Sequence, residues 1–516
     1  MAERAQPLSP WPGILAATGV AALILGTLVA VVLRAEAGTG LGASDWAALR
    51  FTLVQASLSA LFSVGLAVPV ARALARRRFP GRRVLIALLG APFILPVIVA
   101  ILGLLEVFGR AGWVSQALGL FGLEPIRIYG LHGVVLAHVF FNLPLATRLI
   151  LQGWQEIPAE RFRLAAQLSI EGVSMFRLLE LPMLRQVVPG VLAVVFAICL
   201  TSFAVALTLG GGPRATTIEL AIYQAFRFDF DLGRAALLSA VQLILTGTAA
   251  YLALKVSVGE GFGGGLDRQV RRWDGRGSRA LDMFWISLAA AFLLLPLAAI
   301  VLSGVPGLLE LPPVVVRAAL TSVGVALVST LILLLLALPM AAAVALGRAS
   351  AVEMSGILGL AASPLVIGTG LFIVIFPIAD PFDFALPVTA VVNAVMALPF
   401  ALRILVPRAR AVVARYGRLG LSLDMGGWSF VRWVLLPRMR PQIGFAAGLG
   451  AALSMGDLGV IALFADPELA TLPLQIYRLM GAYRMEVAAG AALLLLALSM
   501  GLFWLLDRGG RWHAEA

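Results

Sequence analysis

Few side chains in this 516-residue sequence can do chemistry, and those that can are scattered. The histidines are His132, His138 and His513, and the first two stand six positions apart on one apolar run, so they do not cluster as metal ligands. Cys199 is the only cysteine, which excludes a disulfide within the chain. Neither a G-x-S-x-G elbow nor an H-E-x-x-H pair occurs. Lys255 is the single lysine, preceded by Leu254 and followed by Val256. The phosphate-cradling loop of an ATPase, G-x-x-x-x-G-K-[ST], therefore cannot form. What remains is a set of polar residues inside apolar runs: Glu106, Asn142, Ser202, Asn393 and Asp457. Polar groups in such runs are costly and default to functional hypotheses, here hydrogen bonding or charge along a pathway. The competing readings are a span end for Glu106, interhelical hydrogen bonding for Asn142 and helix packing for Asp457.

The elements that must position these residues are membrane spans. The chain is 61% hydrophobic, 13% charged and has a mean hydropathy of +0.98. Apolar runs fall at 13–33, 50–74, 84–108, 130–152, 187–209 and 236–256, and again at 281–303, 317–346, 355–378, 384–407, 443–464 and 487–506. Backbone groups in lipid must satisfy themselves, so these runs predict helices. The formal charge of +12 does not indicate nucleic acid, because the arginines fall in short gaps between spans. With the N-terminus in the cytoplasm, 29 of the 39 basic residues lie inside, which predicts both termini cytoplasmic. The Gly- and Arg-rich stretch at 257–280 reads as a cytoplasmic linker.

The sequence repeats itself at an offset of 255. Leu143-Pro144, Arg148, Arg163-Leu164, Arg177 and Leu181-Pro182 match Leu398-Pro399, Arg403, Arg418-Leu419, Arg432 and Leu436-Pro437. Six spans per half is an even number, so the copies run parallel, with a pathway expected between them. The prediction is an all-α membrane protein of about twelve spans: a first repeat at 1–256, the linker, and a second repeat at 281–516. Thr201 and Ser202 occupy the place of Asp457, so the halves are chemically unequal there, as suits an asymmetric ligand. The stretch 210–234 should face the periplasm, where Glu219, Asp229 and Asp231 could meet a binding protein; a plain amphipathic loop helix explains it as well.

Between the fourth and fifth spans each half carries a polar stretch, about 153–186 and about 408–441. Each reads as a short helix, a small-residue break at Gly172 or Gly426-Gly427, a second helix, then Leu-Pro. Such a helix pair, tied at both ends to spans, can transmit a push into the membrane. The stretch resembles the EAA loop of bacterial ABC importer permeases. Counting back from Leu181-Pro182 puts Arg163, Leu164 and Ala165 at the Glu-Ala-Ala positions and Ser169 at the glycine. In the second copy these are Arg418, Leu419, Gly420 and Asp424, so both loops lack the family's glutamate and glycine.

Longer strings, among them LARRRFPGRR (74–83), YGLHGVVLAHVFFNLPLATRLIL (129–151) and LSMGDLGVIALF (453–464), are similar to the fused two-half permeases of bacterial thiamine importers. That resemblance implies a type I importer fold in the inner membrane and transport of thiamine and its phosphate esters. It implies two copies of a cytoplasmic ATPase, which would hold ATP-Mg in place of this chain, and a periplasmic thiamine-binding protein. Membrane lipid is the remaining partner, and no cofactor belongs to the chain itself. Fused ferric-iron permeases share this plan, and a secondary transporter shares the two parallel halves.

Overall fold

The computed structural model describes residues 7–35, 40–90, 94–170, 172–210, 212, 215–256, 276–347, 349–464 and 469–511. The first half contains α1 (Trp11–Arg34), α2 (Ala43–Arg76), α3 (Arg82–Leu88), α4 (Val97–Phe108), α5 (Trp113–Gly119), α6 (Leu131–Glu156), α7 (Ala159–Gln167), α8 (Gly172–Met175), α9 (Leu181–Leu200), α10 (Phe203–Leu209), α11 (Ile218–Arg227) and α12 (Leu232–Val256). The second contains α13 (Arg276–Leu308), α14 (Pro313–Ala345), α15 (Ala349–Ala361), α16 (Pro364–Ile375), α17 (Ala385–Ser422), α18 (Trp428–Phe430), α19 (Leu436–Met455), α20 (Gly459–Phe464), α21 (Leu472–Gly481) and α22 (Met485–Arg511). Among the described residues eleven helices are long and apolar enough to cross a membrane, with Pro364–Ile375 a shorter apolar helix. Of the expected linker, 257–275 lies outside the described residues, and from Arg276 onward the chain is helical.

Four of the expected spans are broken. The third divides before Val97 at Pro96, the ninth at Ser363-Pro364, the fifth at Thr201-Ser202 and the eleventh at Gly456-Asp457. Proline explains the first two, since it lacks the N–H and restricts the residue before it. At the other two breaks a small or hydroxylated residue follows a long apolar helix, and a polar side chain turns back onto the backbone.

The first helix of each half packs on the last helix of its own half, α12 or α22, and also reaches across to the opposite half. Helix α1 lies against α14, α15 and α16 of the second half, while α13 lies against α2 and α4 of the first. The approach is close because glycines face carbonyls. A Cβ on Gly13 would overlap the Pro339 carbonyl, and one on Gly103 would overlap that of Pro296. Lipid gives no hydrophobic drive for helix association, so close backbone packing of this kind supplies much of the adhesion.

At the end away from the α7–α8 and α17–α18 turns, aromatic rings seal the contact between halves. Phe226 of α11 meets Phe372 of α16 edge-on with ring centroids 4.3 Å apart. Phe372 also packs on Phe376, Phe382 and Phe464, and Phe230 reaches Phe376. The amino termini of the two short helices here are held alike: Thr52 accepts from the Ile218 N–H at 2.9 Å and Ser322 from that of Leu472 at 2.7 Å.

Candidate functional sites: two coupling segments and a mid-membrane junction

The repeated polar stretches fold alike at the 255-residue offset. Each first helix ends, each turn contains two left-handed residues, and each chain then passes through a π-helical turn into a span. The left-handed residues are Ser169 (φ 52°) and Gly172 (φ 59°) in one copy, Asp424 (φ 54°) and Gly427 (φ 57°) in the other. The π-helical turns are Phe176–Glu180 and Val431–Leu435, followed by Leu181-Pro182 and Leu436-Pro437 at the first positions of α9 and α19. Ser169 and Asp424, at the place where the resemblance expects glycine, thus hold backbone that glycine adopts most readily.

The two copies differ in how they leave the membrane. Ile157 and Pro158 are extended and separate α7 from α6, whereas α17 runs without interruption from Ala385 to Ser422. A proline disfavours helix at the residue before it, and Val413 fills the place of Pro158 in the second copy. Ala165 is buried, and so is its counterpart Gly420, where a Cβ would lie 2.7 Å from the Phe430 ring. The missing methyl makes room for the larger side chain.

Arg163, Leu164, Arg177 and Arg418, Leu419, Arg432 are all exposed. More telling are the apolar residues exposed beside them. Leu164, Leu168, Val173 and Leu178 are 56–65% exposed, and their counterparts Leu419, Leu423, Trp428 and Trp433 are 55–68% exposed. Four exposed apolar side chains at matched positions, on segments outside the expected spans, give each half a candidate docking surface. Sequence reasoning found the leucines at 164 and 419 but not the rest of the pattern, although the two tryptophans stood in view in a polar stretch.

The first segment is tied to the membrane domain by an ion pair that sequence reasoning missed. Arg72 Nε of α2 donates to Glu180 Oε2 at 2.6 Å; the Glu180 side chain is fully buried and the guanidinium also lies over the Phe176 ring. Nearby, Arg77 donates to Asp282 of α13 at 2.6 Å. In the second segment Arg438 stacks on Tyr416 at 4.0 Å and Arg410 pairs with Glu353 at 2.7 Å.

Four of the five polar residues expected within spans gather at the helix breaks; Glu106 is half-buried near the end of α4, away from the break at Pro96. Asn142 donates to Cys199 Sγ at 3.3 Å, and Asn393 to Ser454 Oγ at 3.0 Å; in both halves this ties the fourth span to the end of the fifth. Ser202 stands at its break with Oγ 2.7 Å from His138 Nε2, while His138 Nδ1 lies 3.0 Å from Ser59 Oγ, so that histidine is a buried interhelical tie. Asp457 Oδ1 accepts from the Gly459 N–H at 3.2 Å and caps α20. Glu219, expected to face a binding protein, is instead buried and accepts from Gln242 Nε2 at 2.9 Å, because α11 turns its acidic side onto α12. Asp229 is exposed and pairs with Arg234, whose N–H Asp231 caps. Among the described residues no group of three or more His, Cys, Asp or Glu could hold a metal.

No protein-family model matches the chain. It is 40% identical over the full length of both chains to the thiamine transport system permease protein ThiP of Salmonella typhimurium. It is also 40% identical to the Escherichia coli protein of that name, over 98% of each chain. The chain belongs to the ThiP permease family. A more distant likeness, 29% identity over 41% of this chain and 74% of the other, reaches the sulfate transport system permease protein CysT of Salmonella typhimurium. With eleven helices of spanning length among the described residues the chain is a multi-pass membrane protein, and its relatives are named as permease proteins of a transport system.

Proposed function

We propose that this chain is the membrane-spanning subunit of an ATP-driven importer that carries thiamine and its phosphate esters across the bacterial inner membrane. The observation that supports it most is the pair of matched, exposed apolar segments between the fourth and fifth spans of a ThiP-family chain. Two copies of a cytoplasmic ATPase dock there, one on each segment, and hold the ATP-Mg that this chain has no loop to bind. Both termini then lie in the cytoplasm. A periplasmic thiamine-binding protein delivers cargo at the opposite end, above the aromatic seal of Phe226 and Phe372.

Movement of an ATPase pushes on Leu164 and Val173, or on Leu419 and Trp428. Each segment continues through its π-helical turn into α9 or α19, so the push reaches the breaks at Ser202 and Asp457. Ser202 and Asp457 follow the far ends of those helices, Asn142 of α6 and Asn393 of α17 reach the same ends, and all four border the pathway that opens there. In cells unable to make thiamine, deletion of this chain abolishes growth on low external thiamine and leaves iron uptake unchanged. The reverse pattern assigns the chain to ferric iron, and ATP-independent uptake in vesicles assigns it to secondary transport.

A further inference from the structure

Four broken spans, two from each half, converge on one point inside the membrane. The Cβ position of Gly456 lies 3.2 Å from Pro96 Cα at the start of α4. That of Gly459 lies 3.3 Å from Leu365 of α16, 3.7 Å from the Phe203 ring of α10 and 3.8 Å from Asp457 Oδ1. The Phe203 ring and the Asp457 carboxylate thus both lie within 4 Å of one point beside Gly459, across the boundary between halves. Phe203 in turn meets Tyr223 edge-on at 5.3 Å.

One oxygen of Asp457 is used by the fold and the other is not. Oδ1 caps α20, whereas Oδ2 is shielded from solvent and has no hydrogen-bond partner among the described residues. A buried acceptor left unpaired costs free energy unless something else meets it. At the matched place in the first half, Ser202 is occupied by His138. The unpaired carboxylate oxygen therefore exists on one side only, in a residue that lies near an aromatic ring.

We infer that Asp457, Phe203 and Tyr223 form a transit site for an aromatic organic cation, occupied when the halves part. The carboxylate faces the positive ring and Phe203 contributes a cation–π and stacking contact. The inference rests on the thiamine reading above, since thiamine carries a fixed positive charge on its thiazolium ring. Because the site offers one carboxylate and one aromatic pair, it holds the cation weakly enough to release it, as a pathway requires.

The test is thiamine uptake per ATP hydrolysed, in vesicles containing the permease with its ATPase and binding protein. A ratio is unaffected by how much of a variant assembles. Asp457→Asn keeps the shape and the cap but removes the charge, and the ratio is expected to fall about tenfold, with Phe203→Leu falling about threefold. Asp457→Glu and Phe203→Tyr should return it to within about a factor of two. An unchanged ratio in Asp457→Asn overturns the site, as does equal loss in Asp457→Asn and Asp457→Glu, which marks a purely structural role. Absence of thiamine uptake by the unaltered complex overturns the substrate reading itself.

Discussion

The Pro7 carbonyl accepts a hydrogen bond from the Gly427 N–H at 2.8 Å, which fastens the chain just before α1 to the turn of the second docking segment. Leu8 beside it is buried, and Gly417 also lies against the Pro7 ring. Substituting glycine for residues 7–9 keeps that carbonyl but removes the Pro7 ring and the Leu8 side chain and frees the backbone, which should cost about 1 kcal/mol of local stability. Hydrogen exchange at 416–430 is expected to quicken roughly fivefold, with 161–175 unchanged. Equal quickening in both segments would count against the contact.

The docking surfaces predict unequal energies. Trp428 and Trp433 present much larger apolar area than Val173 and Leu178 at the matched places. Truncation of a central interface tryptophan costs about 2 kcal/mol or more, against under about 1 kcal/mol for a valine. Trp428→Ala should weaken ATPase binding at least tenfold and Val173→Ala about threefold or less, as read by titration of the detergent-purified permease. Native mass measurement of the intact complex should find one permease chain with two ATPase subunits.

The turns offer a test of opposite signs. Ser169 and Asp424 hold left-handed backbone that costs an L-residue about 1 kcal/mol, whereas Gly172 and Gly427 hold it freely. Ser169→Gly should slow exchange in its turn, and Gly172→Ala should quicken it, each by roughly threefold to tenfold. Nothing lies within 4 Å of a Cβ at Gly172, so backbone strain alone carries that effect.

Glu180→Ala leaves the Arg72 guanidinium without its carboxylate beneath the first segment. Arg72 retains a quarter of its exposure, so the expected loss of about 2 kcal/mol is smaller than for a fully buried pair. Thermal unfolding should register it, and transport per ATP should fall with the first segment loosened. Retention of both would show that the pair is ornamental.

Sidedness can be read with single cysteines in a Cys199→Ser background, a change that copies the serine found at the matched place, Ser454. Val173→Cys and Tyr483→Cys lie at 65% and 91% exposure. They should label from opposite faces of the membrane, Val173 from the cytoplasmic one. Labelling from the same face would refute the proposed orientation.

Much of this architecture was legible because lipid enforces it: apolar runs of span length had to be helices, and the repeated Leu-Pro endings located both helix–turn–helix segments. Spans containing Pro96 and Pro364 carried a visible signal of their breaks, but those at Ser202 and Asp457 did not, since nothing local forbids a helix there. Glu219 read as a surface acid because its partner Gln242 lies on another helix, and nothing around Glu180 pointed to Arg72, 108 residues away. The crossing of α1 and α13 to opposite halves was likewise hidden, because helix association in lipid depends on which small residues meet, not on hydropathy.

That crossing has a consequence for biosynthesis. Helix α1 leaves the ribosome roughly 300 residues before its partners α14–α16, which at about 5–20 residues per second is a wait of about 15–60 s. During that interval α12 of the first half is available to it, but most of its contact surface still faces lipid tails, and its composition suits it to do so. Its mean hydropathy of 2.4 exceeds that of every other span in its own half, and only 28% of that stretch is buried in the finished protein. Helix α13, by contrast, emerges when α2 and α4 are already in place. The first half therefore cannot complete its maturation before the second is made, and joining the two in one polypeptide ensures that the late partner arrives.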